Sequence, residues 1–516
     1  MKRKEEKARQ SDAKGMHDFY SIKVGDIKLA VSVDKLPGEF VKTYNLELPK
    51  IEPATQLLLE RVRTRLIQEV KVRVEEIINP KVYDELRDRY SAAAEKMLKQ
   101  ELPKLTENER QIMVGILINK MLGLGDIEPI FADENVEEIV INGPEQPVWV
   151  YHKKQGWLKT NVSLQSDDQI HNFASVIGRR VGREITNLNP LMDARLPSGD
   201  RVNATLFPIS TIGNTITIRK FARTPWTVID FIDPTINSLS LNIAALLWFA
   251  IENELNLMIA GGTGSGKTSM LNALTPFMPS NQRIISIEDT RELQLPDFLH
   301  WIPLATRSPN PEGKGEITML DLMINSLRMR PDRIIVGEVR RTSEAEVLFE
   351  AMHTGHSVYS TIHADNIQQT FRRLTNPPID VPEAMLEAQH LILVQFRQRR
   401  LNIRRTLEVA ESVVTDQVAG KIAFNKLYQW EARGDKMLAV NKSKRIVEEL
   451  TMRTGMSKHE MDQNLREKEL VLKWMLNKGI RNITDVGKIV NIYYHDEDAV
   501  VSAAKKNADA KSIFNY

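Results

Sequence analysis

The chain has 516 residues, 42% of them hydrophobic and 27% charged, with 70 basic against 68 acidic side chains and no cysteine. At roughly 150 residues per domain it holds about two to four domains, with enough apolar material for real cores. The missing thiols exclude disulfide scaffolds, thiolate zinc fingers, iron–sulfur clusters and cysteine nucleophiles, while a net charge of +2 and 6% aromatics argue against a globally basic nucleic-acid surface or long base-stacking platforms.

Residues 1–15, MKRKEEKARQSDAKG, read as a charged, mobile N-terminus, with no apolar run after them to make a signal peptide. Between Pro53 and Lys120, in TQLLLERVRTRLIQEVKVRVEEII and ENERQIMVGILINKML, apolar residues recur every three or four positions. This is the pattern of amphipathic helices, so 16–122 is expected to be an N-terminal helical region. The apolar spacing drifts between runs, which favours a small bundle over a coiled coil.

At Gly123 the texture changes to turn residues mixed with short β-rich runs, at Glu138–Ile141, Val148–Tyr151, Arg201–Phe207 and Thr215–Arg219, around a helix over Asp167–Val181. An α+β N-domain is expected over 123–222 and a linker over 223–239, with Pro225 near its start. From 240 to 440 apolar strands alternate with helical runs. The strands are Leu255–Ala260, Arg283–Ile287, Arg333–Val336, Ser357–Ile362 and Leu391–Phe396; the helices include Lys267–Phe277, Thr318–Met329 and Ser343–His353. Such alternation predicts a mainly parallel sheet covered by helices, an α/β core. Residues 441–516 read as a helical C-terminal region. Apolar runs such as Ala244–Ile251 end at Glu252, Asn253 and Glu254, short of the ~18 residues that cross a bilayer. The expected location is therefore cytoplasmic, or peripheral on the inner face of the cell membrane.

The strongest local signal is Gly261-Gly262-Thr263-Gly264-Ser265-Gly266-Lys267-Thr268. It fits G-x-x-x-x-G-K-[ST], follows an apolar strand and opens a helix. Small residues let backbone N–H groups wrap a phosphate, and the helix N-terminus adds its positive end. Lys267 would reach the β- and γ-phosphates of ATP and the Thr268 hydroxyl would ligate Mg²⁺. A chance match would arise on the order of once per hundred such chains.

Phosphoryl chemistry of this kind also needs carboxylates near the metal and the attacking water. Two strand ends supply them: IISIEDTRE, with Glu288, Asp289 and Glu292, and RIIVGEVRR, with Glu338. Gly337 stands where many P-loop proteins carry an aspartate, so Glu338 alone must serve as the metal-side acid. Among His353, His356 and His363 the spacing is too irregular for a zinc site. A phosphate-sensing role, or a hydrogen-bonded structural one, fits these histidines better. Arginines cluster nearby in the sequence (Arg328, Arg330, Arg340, Arg341, Arg372, Arg373), and the preceding domain supplies Arg195, Arg201 and Arg219.

GGTGSGKT, IISIEDTRE, RMRPDRIIVGEVRR and TGHSVYSTIHADN, in that order, resemble the Walker A, Asp box, Walker B and His box of the type II/IV secretion ATPases. GLGDIEPIFADENVEEIVINGP and DARLPSGDRVNA resemble the N-terminal domain of the same family, so the resemblance covers roughly 110–410. It implies a RecA-like P-loop NTPase core behind a smaller α+β domain, assembled as a homo-hexameric ATPase that uses ATP and Mg²⁺.

Carried over residue by residue, the resemblance assigns nucleotide contacts to Gly262, Thr263, Gly264, Ser265, Gly266, Lys267 and Thr268. It implies catalytic roles for Glu292, Glu338 and Lys267, a metal-side role for Glu338 with Thr268, His-box roles for His356 and His363, and phosphate contacts from Arg195, Arg201 and Arg219. The choice of general base between Glu292 and Glu338 stays open. Domain closure about the linker would then drive a polytopic membrane platform protein, with accessory motor proteins and no nucleic acid. The tetracysteine zinc module of many bacterial members has no counterpart here.

WVYHKKQGWLKT, NPEGKGEITMLDLMINSLRMRPDRIIVGEV and the preceding helical domain most resemble the archaeal branch, and within it the archaellum motors. Archaeal adhesive-pilus assembly ATPases share most of these strings. A nucleic-acid motor and a non-catalytic nucleotide-dependent scaffold are the rival readings from other classes.

Overall fold

The computed structural model describes residues 18–514 other than 25–26, 50–51, 71–79, 197, 222–223, 310–312, 402 and 417–419. The expected mobile stretch 1–15 and the first residue of the expected linker lie outside the described residues. The chain divides into two units, 1–223 and 224–516.

In the first unit the strands are β1 (Asp18–Val24), β2 (Ile27–Asp34), β3 (Thr43–Leu46), β4 (Val136–Ile141), β5 (Pro147–His152), β6 (Gly156–Ser163), β7 (Leu191–Arg195), β8 (Arg201–Thr205) and β9 (Thr215–Arg219). They form one sheet in the order β1-β2-β3-β6-β5-β4-β9-β8-β7. The expectation of a helical region over 16–122 is corrected here, because the strands β1, β2 and β3 lie within it. In β2 the side chains Ile27, Leu29, Val31 and Val33 are buried and alternate with less buried Lys28, Ala30, Ser32 and Asp34. That two-residue period puts one face of the strand on a core. β1 and β2 pair antiparallel, and β3 runs parallel to β6, which joins this hairpin to the α+β sheet.

Asp133, 1% exposed, fixes the junction. Its Oδ2 accepts the hydroxyls of Tyr20 (2.5 Å) and Tyr44 (2.9 Å), and its Oδ1 accepts the Asn135 N–H (2.8 Å). Burial first, then the carboxylate, raises both phenols well above the usual tyrosine range. Helices follow at Pro53–Glu69, Pro80–Glu101 and Glu107–Leu122. They pack a core of their own through Leu59, Val62, Leu66, Leu86, Tyr90, Leu98 and Leu117. The third opens on a reciprocal cap in which Thr106 Oγ1 accepts the Glu109 N–H and Glu109 Oε2 accepts the Thr106 N–H.

The second unit contains β10 (Leu257–Gly261), β11 (Ile284–Glu288), β12 (Trp301–Ala305), β13 (Arg333–Val336), β14 (Ser357–Ile362), β15 (Leu391–Gln398), β16 (Ile403–Asp416), β17 (Lys421–Glu431) and β18 (Lys436–Ala439), ordered β12-β11-β13-β14-β10-β15-β16-β17-β18. The strands from β12 to β15 run parallel, and β16, β17 and β18 add antiparallel. Every residue of β10, β13 and β14 is buried, as strands covered on both faces require.

One face of this sheet is covered by the helix Leu241–Glu252, apolar all round, and by helices between Arg445 and Lys505, packed through Trp248, Leu247, Val471, Trp474 and Val490. The other face is covered by helices Met319–Leu327, Thr342–His353 and Ile367–Thr375, through Met323, Phe349 and Leu374. Across the apolar seam, the fully buried Lys468 reaches Glu252 Oε2 at 2.9 Å and lies 4.5 Å from the centre of the Tyr493 ring. Among the described residues no helix is long and apolar enough to cross a membrane.

Candidate functional site

Because β10, β11, β13 and β14 are parallel neighbours, the residues that follow them emerge at one edge of the sheet. Ligand crevices of open α/β sheets lie at that edge. After β10 the chain enters the glycine loop and leaves it as the helix Lys267–Leu274. Gly264 (φ +71°) and Gly266 (φ +94°) adopt the left-handed backbone that a side chain would strain. Ser265 is buried in the turn, against Gly261, while Thr263 and Gly264 face solvent and Gly262, Gly266 and Thr268 are half-buried.

Lys267 Nζ donates to the carbonyls of Gly261 (2.9 Å) and Gly262 (3.2 Å) and lies 3.4 Å from His363 Nε2. Burial lowers its pKa, opposed by the negative charges of Glu338, Asp365 and Glu292. His363 follows β14, and its Nε2 is 3.7 Å from Glu338 Oε1. Burial and then the Lys267 charge lower the imidazole pKa, so the ring is neutral at neutral pH. Glu338, just past β13, accepts Arg340 Nη2 at 2.8 Å and Nε at 3.1 Å, and Arg340 Nη1 reaches Asp289 Oδ2 at 3.4 Å. Four of the residues that the motifs single out thus meet here: Lys267, His363, Glu338 and Asp289. Glu292 is close enough for its charge to act on Lys267.

Glu288 ends β11 and is 2% exposed. Its Oε1 accepts the backbone N–H groups of Glu292 (2.8 Å) and Leu293 (3.1 Å), so it shapes the turn that carries Glu292. Burial pushes its carboxyl up to about 7, against the pull of those two donors. A Cβ at position 337 would lie 3.4–3.5 Å from Glu288 Cα and Cγ, in ordinary van der Waals contact with the buried acid.

The family resemblance groups His356 with His363 in nucleotide binding, and the structure separates them. His356 precedes β14 and His363 follows it, so six strand residues, about 20 Å of extended chain, put them at opposite edges of the sheet. His356 Nδ1 instead sits 3.1 Å from Thr354 Oγ1 and 3.2 Å from the Ala351 carbonyl, tying the end of a helix to the start of the strand.

Arg195, Arg201 and Arg219 lie in the first unit, where pairing aligns them. Arg195 is directly opposite Arg201, Arg201 opposite Arg219, and Arg219 opposite Glu138. Directly paired residues share a face, and here it is the face away from buried Ala194, Val202 and Ile218. Arg201 also holds Asp193 through two hydrogen bonds, at 2.8 and 3.1 Å.

Sequence reasoning missed Asp365, Arg397 and Arg404. A Cβ at Gly262 would lie 2.8 Å from Asp365 Oδ1, and Arg404 Nε donates to the Gly264 carbonyl at 3.1 Å. Asp365 was findable, two residues beyond His363 on the same turn. The arginines come from β15 and β16, far along the chain, and carry no motif. Chemically, the edge combines a backbone loop built to receive an anion, a lysine, a neutral imidazole and carboxylates held by an arginine.

Residues 121–483 match the family model described as "Type II/IV secretion system protein". An uncharacterised protein of Methanocaldococcus jannaschii, MJ0900, is 34% identical over 76% of this chain and 71% of its own length. The type IV secretion system protein PtlH of Bordetella pertussis is 30% identical over 48% of this chain and 78% of its own. Among solved structures, the VirB11 ATPase of the Brucella suis type IV secretion system aligns at 25% identity, covering 55% of this chain and 96% of that one, with a TM-score of 0.28. With a family match over more than half of the chain, spanning the glycine loop and the strand ends beside it, the chain belongs to the type II/IV secretion system protein family.

Proposed function

We propose that this chain is an ATPase that converts ATP hydrolysis into mechanical work for a membrane-embedded filament or secretion machine. The observation that carries this reading is the meeting of Lys267, His363 and Glu338 at one sheet edge, beside the glycine loop. In it, the backbone of Gly262–Gly266 and the Lys267 ammonium hold the phosphates of ATP. His363, neutral and between Lys267 and Glu338, is placed to respond to charge added at Lys267. Glu292 and Glu338 are the two acids able to orient or deprotonate water, with the base assignment open between them.

The family implies Mg²⁺, and the donor set fits it. Thr268 in the first helical turn and the Glu338 carboxylate are hard oxygen donors, directly or through water. When bound, the ion would neutralise charge developing on the phosphates. The aligned Arg195, Arg201 and Arg219 have the fork geometry that suits phosphate.

The finer reading is the archaellum motor, a homo-hexamer at the inner membrane face that works with a polytopic platform protein and accessory motor proteins. It rests on the archaeal-type strings, WVYHKKQGWLKT among them. The second reading is a secretion or adhesive-pilus ATPase, and the likeness to the type IV secretion system protein PtlH favours its secretion form. Phosphate release from ATP by the purified protein, lost in Lys267→Ala, supports the enzyme reading; equal release by the variant overturns it. Gene deletion in the source organism separates the machines. Lost swimming with secretion and adhesion intact supports the archaellum, and the reverse pattern overturns it.

A further inference from the structure

β15 flanks β10 on the side away from β14, with Gly261 in register with Gln395. Two residues further on, Arg397 stands opposite Arg404 of β16. Both side chains are half-buried and both reach the tip of the glycine loop. Arg404 Nε holds the Gly264 carbonyl at 3.1 Å, and its Cδ would lie 3.5 Å from a Cβ at Gly266. Arg397 Nη1 would lie 2.8 Å from a Cβ at Gly264. The two left-handed glycines of the loop are therefore flanked by two guanidinium groups from a single hairpin.

Like charges placed directly opposite each other in a sheet repel. The next residue, Arg405, is held by Asp435 through two bonds, at 2.6 and 2.7 Å. The acids that act on Lys267, namely Glu338, Asp365 and Glu292, follow β13, β14 and β11, on the other side of β10. The loop thus has carboxylates on one flank and paired guanidinium groups on the other. A polyphosphate on the loop amides would lie beside that cationic flank.

Resting on the ATP reading, we infer that Arg397 and Arg404 are phosphate ligands contributed by the core itself, forming a second cationic side of the nucleotide site. Arg404 fixes the loop tip through the Gly264 carbonyl, and the pair together binds the di- or triphosphate tail. Gly264 is then required twice, for its backbone conformation and for the room that Arg397 occupies.

The test uses the full chain and ADP as probe, read by calorimetric titration and by the ADP-induced rise in melting temperature. Arg397→Ala and Arg404→Ala are expected to weaken ADP binding roughly tenfold each, with AMP affected less. The melting temperature without nucleotide stays close to that of the unaltered protein. Arg404→Lys, which keeps the charge, recovers part of the loss. Unchanged ADP affinity in both alanine variants overturns the inference. So does a lower melting temperature without nucleotide accompanied by a full ADP-induced rise, the signature of a purely structural brace. Failure of the unaltered chain to bind ADP or ATP would overturn the underlying ATP reading instead, so the two failures are distinguishable.

Discussion

Glu288→Gln isolates the energetic cost of a buried acid at the edge of the second sheet. The carboxyl is 2% exposed and accepts two backbone N–H groups, and burial moves its pKa from 4.5 to about 7. The folded chain therefore keeps this proton until about pH 7, whereas the unfolded chain releases it near the ordinary carboxylate value. Between those limits the unfolded state binds fewer protons, so the contribution of Glu288 is most favourable below the unfolded value and declines as pH rises to about 7. At about 1.4 kcal/mol per pH unit, the interval from 4.5 to about 7 corresponds to about 3 kcal/mol. Glutamine is nearly isosteric, offers an amide oxygen to the same two donors and does not titrate. The variant should gain stability relative to the unaltered protein as pH rises through that interval, and then hold the gain. Urea unfolding across the interval measures this through tryptophan fluorescence. Trp301, whose Nε1 donates to Ser286 at 2.8 Å on the same strand as Glu288, reports on this edge. Parallel stability–pH curves for the two proteins would refute the reasoning.

Lys468→Ala should lower stability by about 3–5 kcal/mol, because it leaves Glu252 without the ammonium that sits 2.9 Å from it. A loss below about 1 kcal/mol in urea unfolding would show that the pair contributes little net energy. Asp133→Ala removes the shared acceptor of two tyrosine hydroxyls, at 2.5 and 2.9 Å, and should cost about 2–4 kcal/mol. Hydrogen exchange of β1 to β3 should rise with it; protection equal to that of the unaltered protein would mean that apolar packing alone holds those strands.

The parallel core was legible because short runs rich in apolar and β-branched residues alternate with helix-length segments. The sequence stretches Arg333–Val336 and Ser357–Ile362 coincide with β13 and β14 to the residue. β1 and β2 were equally visible in principle, since IKLAVSVD alternates with a period of two. The three- and four-residue periodicity that makes 16–122 read as helical begins only at Pro53. The antiparallel extension β16–β18 was lost for another reason: its burial mixes buried and half-exposed positions along long strands, so neither period dominates. At the site, spacing along the chain identified what each strand end carries, including Lys267, Glu338 and His363. It also put the strand Ser357–Ile362 between His356 and His363, and only the family resemblance grouped the two in nucleotide binding. It could not bring in Arg397 and Arg404, which reach the loop only because β15 pairs with β10. That is tertiary information, with no local periodicity to announce it.

The roles of the acids follow the same division between motif and packing. By spacing, Glu288 and Glu338 both follow apolar strands, with Glu338 the stronger candidate. Their surroundings separate them. Glu338 is engaged by Arg340 and lies near His363, so cationic and ring groups face its carboxylate. Glu288 faces the interior, holds backbone N–H groups and keeps its proton to about pH 7. The two strands are tied by the Gly337 N–H, which donates to the Ile287 carbonyl at 2.8 Å. That brings residue 337 against Glu288, where the side chain of an aspartate would start within van der Waals contact of a buried carboxyl. The glycine that looks like a missing metal-side acid thus lies directly against the buried Glu288. By shaping the turn of Glu292, that buried acid connects the strand ends on which both remaining catalytic candidates stand.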